Sequence, residues 1–366
     1  MEKFSTWRDP STGLAPFVYP LPPLSTNQFP RIAWAPFIPL AVFRTLCLLV
    51  VAVLFMTVDS LAIILSIFSV KFHSAFQYYY TTVFSRIALH LLGLTQIPSD
   101  PPFTHRTSSQ KKITSDSVRP GDLIVCNWSS YVDIIYLAYL YNPIFVLPVL
   151  KDSRRGSGED KLAAKVAGFE TKNMIPMVLQ TGHPPHYIHP RTSQLKSLTE
   201  CLREARRLGR PVVFFPEGTT SNNRALLKCP KVDERSVGQF HGNVRIFCLA
   251  IKHDPATLLK SSMTVPIPSW PLNLMHVGRS QMVPVMAPLC LSPRSISLKY
   301  PKNSGAVFEV DSSSSTTTAA AVTMNLVSSL DLSFDTLSQV SKLKITNHIS
   351  CVHKASFLEY ARSRKS

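Results

Sequence analysis

The chain reads as an α/β protein with a mixed, partly parallel sheet flanked by helices, preceded by an N-terminal membrane helix or hairpin. Three observations carry this reading. Short apolar runs rich in β-branched and aromatic residues recur between residues 123 and 291. Between two of them lies an amphipathic helical pattern, Leu195, Leu198, Leu202, Ala205 and Leu208, closed by Gly209. Near the N-terminus, Arg44 and Asp59 are the only charged residues from Ala33 to Val70.

Residues 1–31 contain six prolines and no apolar periodicity, which predicts a disordered tail. The apolar run that follows begins too late for a cleavable signal. A membrane span needs roughly 20 apolar residues, and the stretch over 33–70 exceeds that. It can be one span, or two half-length legs hinged at Asp59, because a carboxylate in mid-bilayer costs several kcal/mol. A pair of buried core helices is the other reading. Tyr78, Tyr79, Tyr80 and Arg86 suit a membrane interface, so residues 32–98 form this unit.

After a polar linker over 99–120, strands are predicted at 123–126, 144–147, 175–179, 212–215, 244–250 and 282–291. Strand, helix, strand in succession indicates a layered α/β unit over 99–310. A Ser/Thr-rich spacer begins at Asp311, and residues from about 320 read as mainly helical. Together they make a C-terminal segment, 311–366.

The formal charge of +17 and pI of 9.7 call for an anionic partner. The basic residues are scattered and accompanied by no RNA-binding signature or Cys/His finger, so a membrane surface is expected rather than nucleic acid. Seven widely spaced cysteines with no Cys-x-x-Cys point to reduced thiols facing the cytosol. Asn127-Trp128-Ser129 is formally a glycosylation sequon, read as coincidental on that face.

Residues 212–224 are the most informative about chemistry. A short apolar strand is stopped by Pro216 and followed by Glu217-Gly218-Thr219-Thr220-Ser221-Asn222. One carboxylate, one glycine and a row of hydroxyls thus lie at a strand's carboxyl end, where α/β folds bind ligands. Free N–H and hydroxyl groups there suit a phosphate, although a plain polar turn has the same composition.

The segment 215–222 resembles the third signature block of the PlsC-type glycerolipid acyltransferases and looks closest to their fungal lysophosphatidate:oleoyl-CoA acyltransferase branch. The resemblance runs from about residue 35 to the C-terminus. It implies transfer of an acyl group from acyl-CoA, as co-substrate, to lysophosphatidate or a related lysophospholipid, with no other cofactor and no metal. It also implies that Glu217, Gly218, Thr219 and Thr220 hold the acceptor phosphate. Ile188-His189-Pro190-Arg191, 26 positions before Glu217, resembles the second block and offers Arg191 as a further phosphate contact, with Lys172 a competitor. The fourth block corresponds to 244–250 or 265–268.

The first block, Asn-His followed by four residues and Asp, corresponds to Asn127-Trp128-Ser129-Ser130-Tyr131-Val132-Asp133. The resemblance assigns the reacting centre to Asn127, Ser129 and Asp133. Trp128 holds the histidine position, and an indole N–H cannot accept a proton. Three arrangements are compatible with that: Asp133 acts as base, a histidine enters from another segment, or the chain binds lipid or recruits partners without turnover. His183, His186 and His189 lie close in sequence, but the prolines among them prevent a helical metal face, so a surface loop is expected. A hairpin would allow residence in the endoplasmic reticulum membrane and on lipid droplets, with the α/β unit in the cytosol.

Overall fold

The computed structural model describes residues 5–20, 38–65, 70–94, 118–151, 164–188, 195–239, 243–254, 262–268, 296–299, 308–310 and 319–363. The strand expected at 282–291, and His189, Pro190 and Arg191, lie outside the described residues.

Two long helices come first, α1 (Ile38–Leu65) and α2 (Val70–Leu91). At 28 residues, α1 is about 42 Å long at 1.5 Å per residue. It contains a 23-residue stretch, Val42–Ile64, long and apolar enough to cross a membrane, and much of that stretch is exposed, including Phe43, Val50, Val53 and Leu61. The hinge expected at Asp59 is not there. The helix runs through that residue because a partner on α2 satisfies the carboxylate: Tyr80 donates its hydroxyl to Asp59 Oδ1. Phe55, Ala62 and Tyr80 form the small core between the two helices.

The sheet follows. Its strands are β1 (Leu123–Cys126), β2 (Ile144–Leu150), β3 (Val166–Lys172), β4 (Val212–Phe214), β6 (Val244–His253), β7 (Ile296–Lys299) and β8 (Phe308–Val310). The short β5 (Ala225–Lys228) pairs instead with β9 (Lys344–Ser350). Main-sheet order is β3-β2-β4-β1-β6-β7, with β8 also on β6. The central pairs β2–β4, β4–β1 and β1–β6 are parallel, and β3, β7 and β8 are antiparallel additions. This is the mixed, partly parallel sheet expected.

Strand alternation divides the core between two faces. Ile124, Cys126, Val213, Phe215 and Leu249 point to one side, with α2, α3 (Tyr131–Tyr141) and α4 (Met174–Gln180). Leu123, Val125, Val212, Phe214 and Ile246 point to the other, against Leu198 and Leu202 of α5 (Leu198–Arg207) and Leu326 and Leu330 of α7 (Ala319–Ser341). A single turn, α6 (Glu234–Val237), and the C-terminal α8 (His353–Ser363) complete the described α-helices. Buried Arg210 ties the layers together, donating to Asn142 O at 2.7 Å, Pro143 O at 2.7 Å and Asn173 Oδ1 at 3.3 Å.

Three further differences from the sequence reading have local causes. The run 175–179 is helical: Asn173 stands at the N-cap, and Pro176 falls in the first turn, where its missing N–H costs nothing. Residues 5–20, assigned by composition to a disordered tail, are folded. Phe17 is fully buried with Leu227 and Phe357, and Trp7 meets Phe357 edge-on at 5.6 Å. The C-terminal region carries β9 between its two helices. All six described cysteines are free.

Candidate functional site

Strand order assembles the site. β1 lies between β4 and β6 and is parallel to both, so the three chain segments leaving their carboxyl ends are neighbours. These are the turn from Asn127 to Asp133, the corner from Pro216 to Asn223, and the end of β6 at His253. That edge of a parallel sheet is where α/β folds place ligands.

In the first segment, Ser130 caps α3 by accepting from Val132 N at 3.2 Å. Asp133, one turn in, reaches back to close a capping box. Its Oδ2 accepts from Ser129 N, Ser130 N and Ser129 Oγ, each at 2.9 Å. Its Oδ1 lies 2.7 Å from Nε2 of His253. Both side chains are buried, and Nδ1 of His253 has no hydrogen-bond partner among the described residues. Asn127 bonds Ile251 twice, and Asn223, in the left-handed region at φ 58, donates to Ser129 Oγ and Ile251 O at 3.0 Å each. Held in this way, the Asn127 amide is not open to glycosylation.

Trp128 is a core residue. It stacks on Phe215 with ring centroids 5.3 Å apart and donates Nε1–H to Ser130 O at 3.2 Å. It therefore fastens the first segment to the end of β4, one residue before Pro216.

The corner is braced on every side. Gly218 has φ 66, and a Cβ there would lie 3.1 Å from Pro148 Cγ, so glycine is the residue that fits. Glu217 is wholly buried, and its Oε2 accepts from Leu227 N at 3.2 Å. Burial pushes its carboxyl up to about 8. Thr219 donates to His183 O at 2.7 Å, and Thr220 donates to Val265 O at 2.7 Å. Lys354, buried in α8, donates to Thr220 O at 2.8 Å and to Thr220 Oγ1 at 2.9 Å. From the N-terminal segment, Ala15 O and Val18 O accept from Asn222 Nδ2. The corner meets the first segment directly, Ser221 N donating to Trp128 O at 3.1 Å. Val265 N also donates to Ser129 O at 2.7 Å, so a further strip of chain lies along this edge.

The structure thus brings together Asn127, Ser129 and Asp133 with Glu217, Gly218, Thr219 and Thr220. Lys172 is engaged by Gln180 Oε1 at 3.2 Å, and His186 Nδ1 lies 2.9 Å from Glu170 Oε2. Sequence reasoning did not single out His253, Asn223 or Lys354. His253 closes an apolar run with no motif around it, and only the adjacency of β6 to β1 marks it. Lys354 lies in a segment with no readable role.

Against known proteins, the chain is 28% identical over 290 residues to a Schizosaccharomyces pombe protein named "Putative lysophosphatidic acid:oleoyl-CoA acyltransferase", covering 78% of this chain and 81% of that one. The similarity supports the acyltransferase family and its fungal branch. No family model matches the chain, and no solved structure matches it significantly.

Proposed function

We propose that this protein is a membrane-bound acyltransferase that moves an acyl group from acyl-CoA to lysophosphatidate or a related lysophospholipid. The observation that carries the reading is the direct contact between the Asn127–Asp133 turn and the Glu217–Asn223 corner at the carboxyl edge of the sheet. The name of the Schizosaccharomyces pombe relative supports the same reaction.

In this reading Asn127, Ser129 and Asp133 build the reacting centre, and the corner receives the acceptor's phosphate. The hydroxyls of Thr219 and Thr220 already donate to backbone carbonyls, as do the N–H groups of Gly218, Ser221 and Asn222, so in this reading these residues and Glu217 shape the corner. Arg191 is the proposed cationic partner. The exposed apolar face of α1 supports membrane attachment. The localisation we propose is the endoplasmic reticulum membrane and lipid-droplet surface, with the α/β unit facing the cytosol.

A second reading, a lipid-binding or recruitment protein without turnover, is favoured by one observation: Trp128 fills the histidine position as a packing residue. Detergent-purified protein given labelled oleoyl-CoA and lysophosphatidate distinguishes the two. Labelled phosphatidate that forms with the wild type and is lost in Asp133→Ala supports acyl transfer. Background counts in both, with the lipid still bound, support the second reading.

A further inference from the structure

We infer that His253, delivered by the end of β6, is the general base of this site, in place of the histidine absent from position 128. The inference rests on the acyl-transfer reading above. Its motive is a geometric coincidence with a chemical requirement. Attack of a hydroxyl on a thioester needs an acceptor for the hydroxyl proton, and an imidazole is bonded to Asp133.

The pairing leaves the correct atom unbonded. Nε2 lies 2.7 Å from Asp133 Oδ1, so the neutral ring donates Nε2–H to the carboxylate and carries its lone pair on Nδ1. Among the described residues, Nδ1 meets no hydrogen-bond partner. A buried polar nitrogen left unbonded is costly, and a purely structural histidine would avoid that cost by finding a donor. Asp133 is a poorer candidate for the base, because Oδ2 already accepts three bonds and Oδ1 faces the imidazole. Its arrangement suits a carboxylate that orients the ring and stabilises the imidazolium.

Neighbouring groups fix where His253 stands. Asn127 and Asn223 grip Ile251, two residues before it. At that spacing on a strand, residues 251 and 253 share a face. Ser129, held by Asp133 and Asn223, completes the frame. The His253 side chain is 2% exposed, which keeps bulk water from the base and disfavours hydrolysis of the thioester.

The step balances with the two substrates alone. The acceptor's hydroxyl oxygen forms a C–O bond to the thioester carbonyl carbon while Nδ1 takes the hydroxyl proton. The tetrahedral intermediate then expels sulfur, the C–S bond breaks, and the imidazolium returns the proton to the coenzyme A thiolate.

The test uses full-length protein in detergent with oleoyl-CoA and lysophosphatidate. His253→Gln retains an N–H that can donate to Asp133 but has no basic lone pair. It should keep its melting temperature and its KM for both substrates while kcat falls about 100- to 10,000-fold. Activity within about threefold of wild type would overturn the inference. A fall in melting temperature together with a rise in KM would also overturn it, by making the residue structural. Should His253→Gln fail to fold, His253→Asn is read by the same criteria, and Asp133→Asn should show the same kcat loss with unchanged KM. Wild-type protein that makes no phosphatidate would instead sink the acyl-transfer reading itself.

Discussion

Asn127 and Ile251 exchange two hydrogen bonds. The side-chain amide donates to Ile251 O at 2.9 Å, and its oxygen accepts from Ile251 N at 2.8 Å. The last backbone register of β1 on β6 pairs Cys126 with Leu249, so the amide side chain continues the ladder after β1 has turned away. Asn127→Ala should orphan Ile251 N–H, at a cost of about 1–3 kcal/mol. Ile251 O keeps its bond from Asn223. A lower melting temperature together with reduced kcat is expected, and calorimetry beside the acyl-transfer assay checks both.

Trp128→His should reduce stability and bring no gain in rate. The indole stacks on Phe215 and bonds Ser130 O, so the smaller ring leaves a void beneath the corner, at a cost of about 2–4 kcal/mol by analogy with large-to-small core changes. Urea denaturation would measure the loss, and a rate increase would contradict the packing role assigned to the tryptophan.

Glu217→Gln tests the buried carboxyl. Burial raises it to about 8 in the folded chain from an ordinary 4.5, so between those values the folded state binds the proton that the unfolded state has released. Its contribution is present below pH 4.5 and is lost as pH rises through about 8. Lys354, held below its ordinary value by burial and partly restored by the charge of Glu217, contributes with the opposite sign, more strongly in Glu217→Gln where that charge is gone, which reinforces the difference. The wild type should therefore lose stability relative to Glu217→Gln as pH rises from about 5 to about 9, and thermal melts across that range read the difference.

Charge placed on α1 should release the protein from membranes. Val50 and Leu54 are exposed and one turn apart on the apolar helix. Each lysine introduced there costs about 2.5–3.5 kcal/mol at the centre of a span. Val50→Lys/Leu54→Lys should move the protein from the floating to the soluble fraction in vesicle flotation. The same distribution as wild type would count against α1 as the anchor.

Much of this arrangement was readable from residue order because it is local. β1, β2, β4 and β6 announced themselves as apolar runs, α5 as a periodic stripe closed by Gly209, and the corner as Pro216-Glu217-Gly218 after a strand. Asn127, Ser129 and Asp133 were singled out only by the resemblance of residues 127–133 to a family block. What was not legible depends on long-range pairing. His253 becomes meaningful only when β6 lies beside β1, and strand order has no local signal. The segment 175–179 misled because its apolar run has strand length, while Asn173 and Pro176 tipped it towards helix. Residues 5–20 misled because proline content speaks of backbone stiffness and says nothing of Phe17 finding Phe357.

Residues 15–18 and Lys354 lie far apart in sequence, yet both grip the stretch from Thr220 to Asn222. A ribosome delivers the first of those grips long before the second. Until Lys354 is made, the corner lacks one of its two clasps. The corner would then take its final form only after Lys354 has emerged and packed against Thr220.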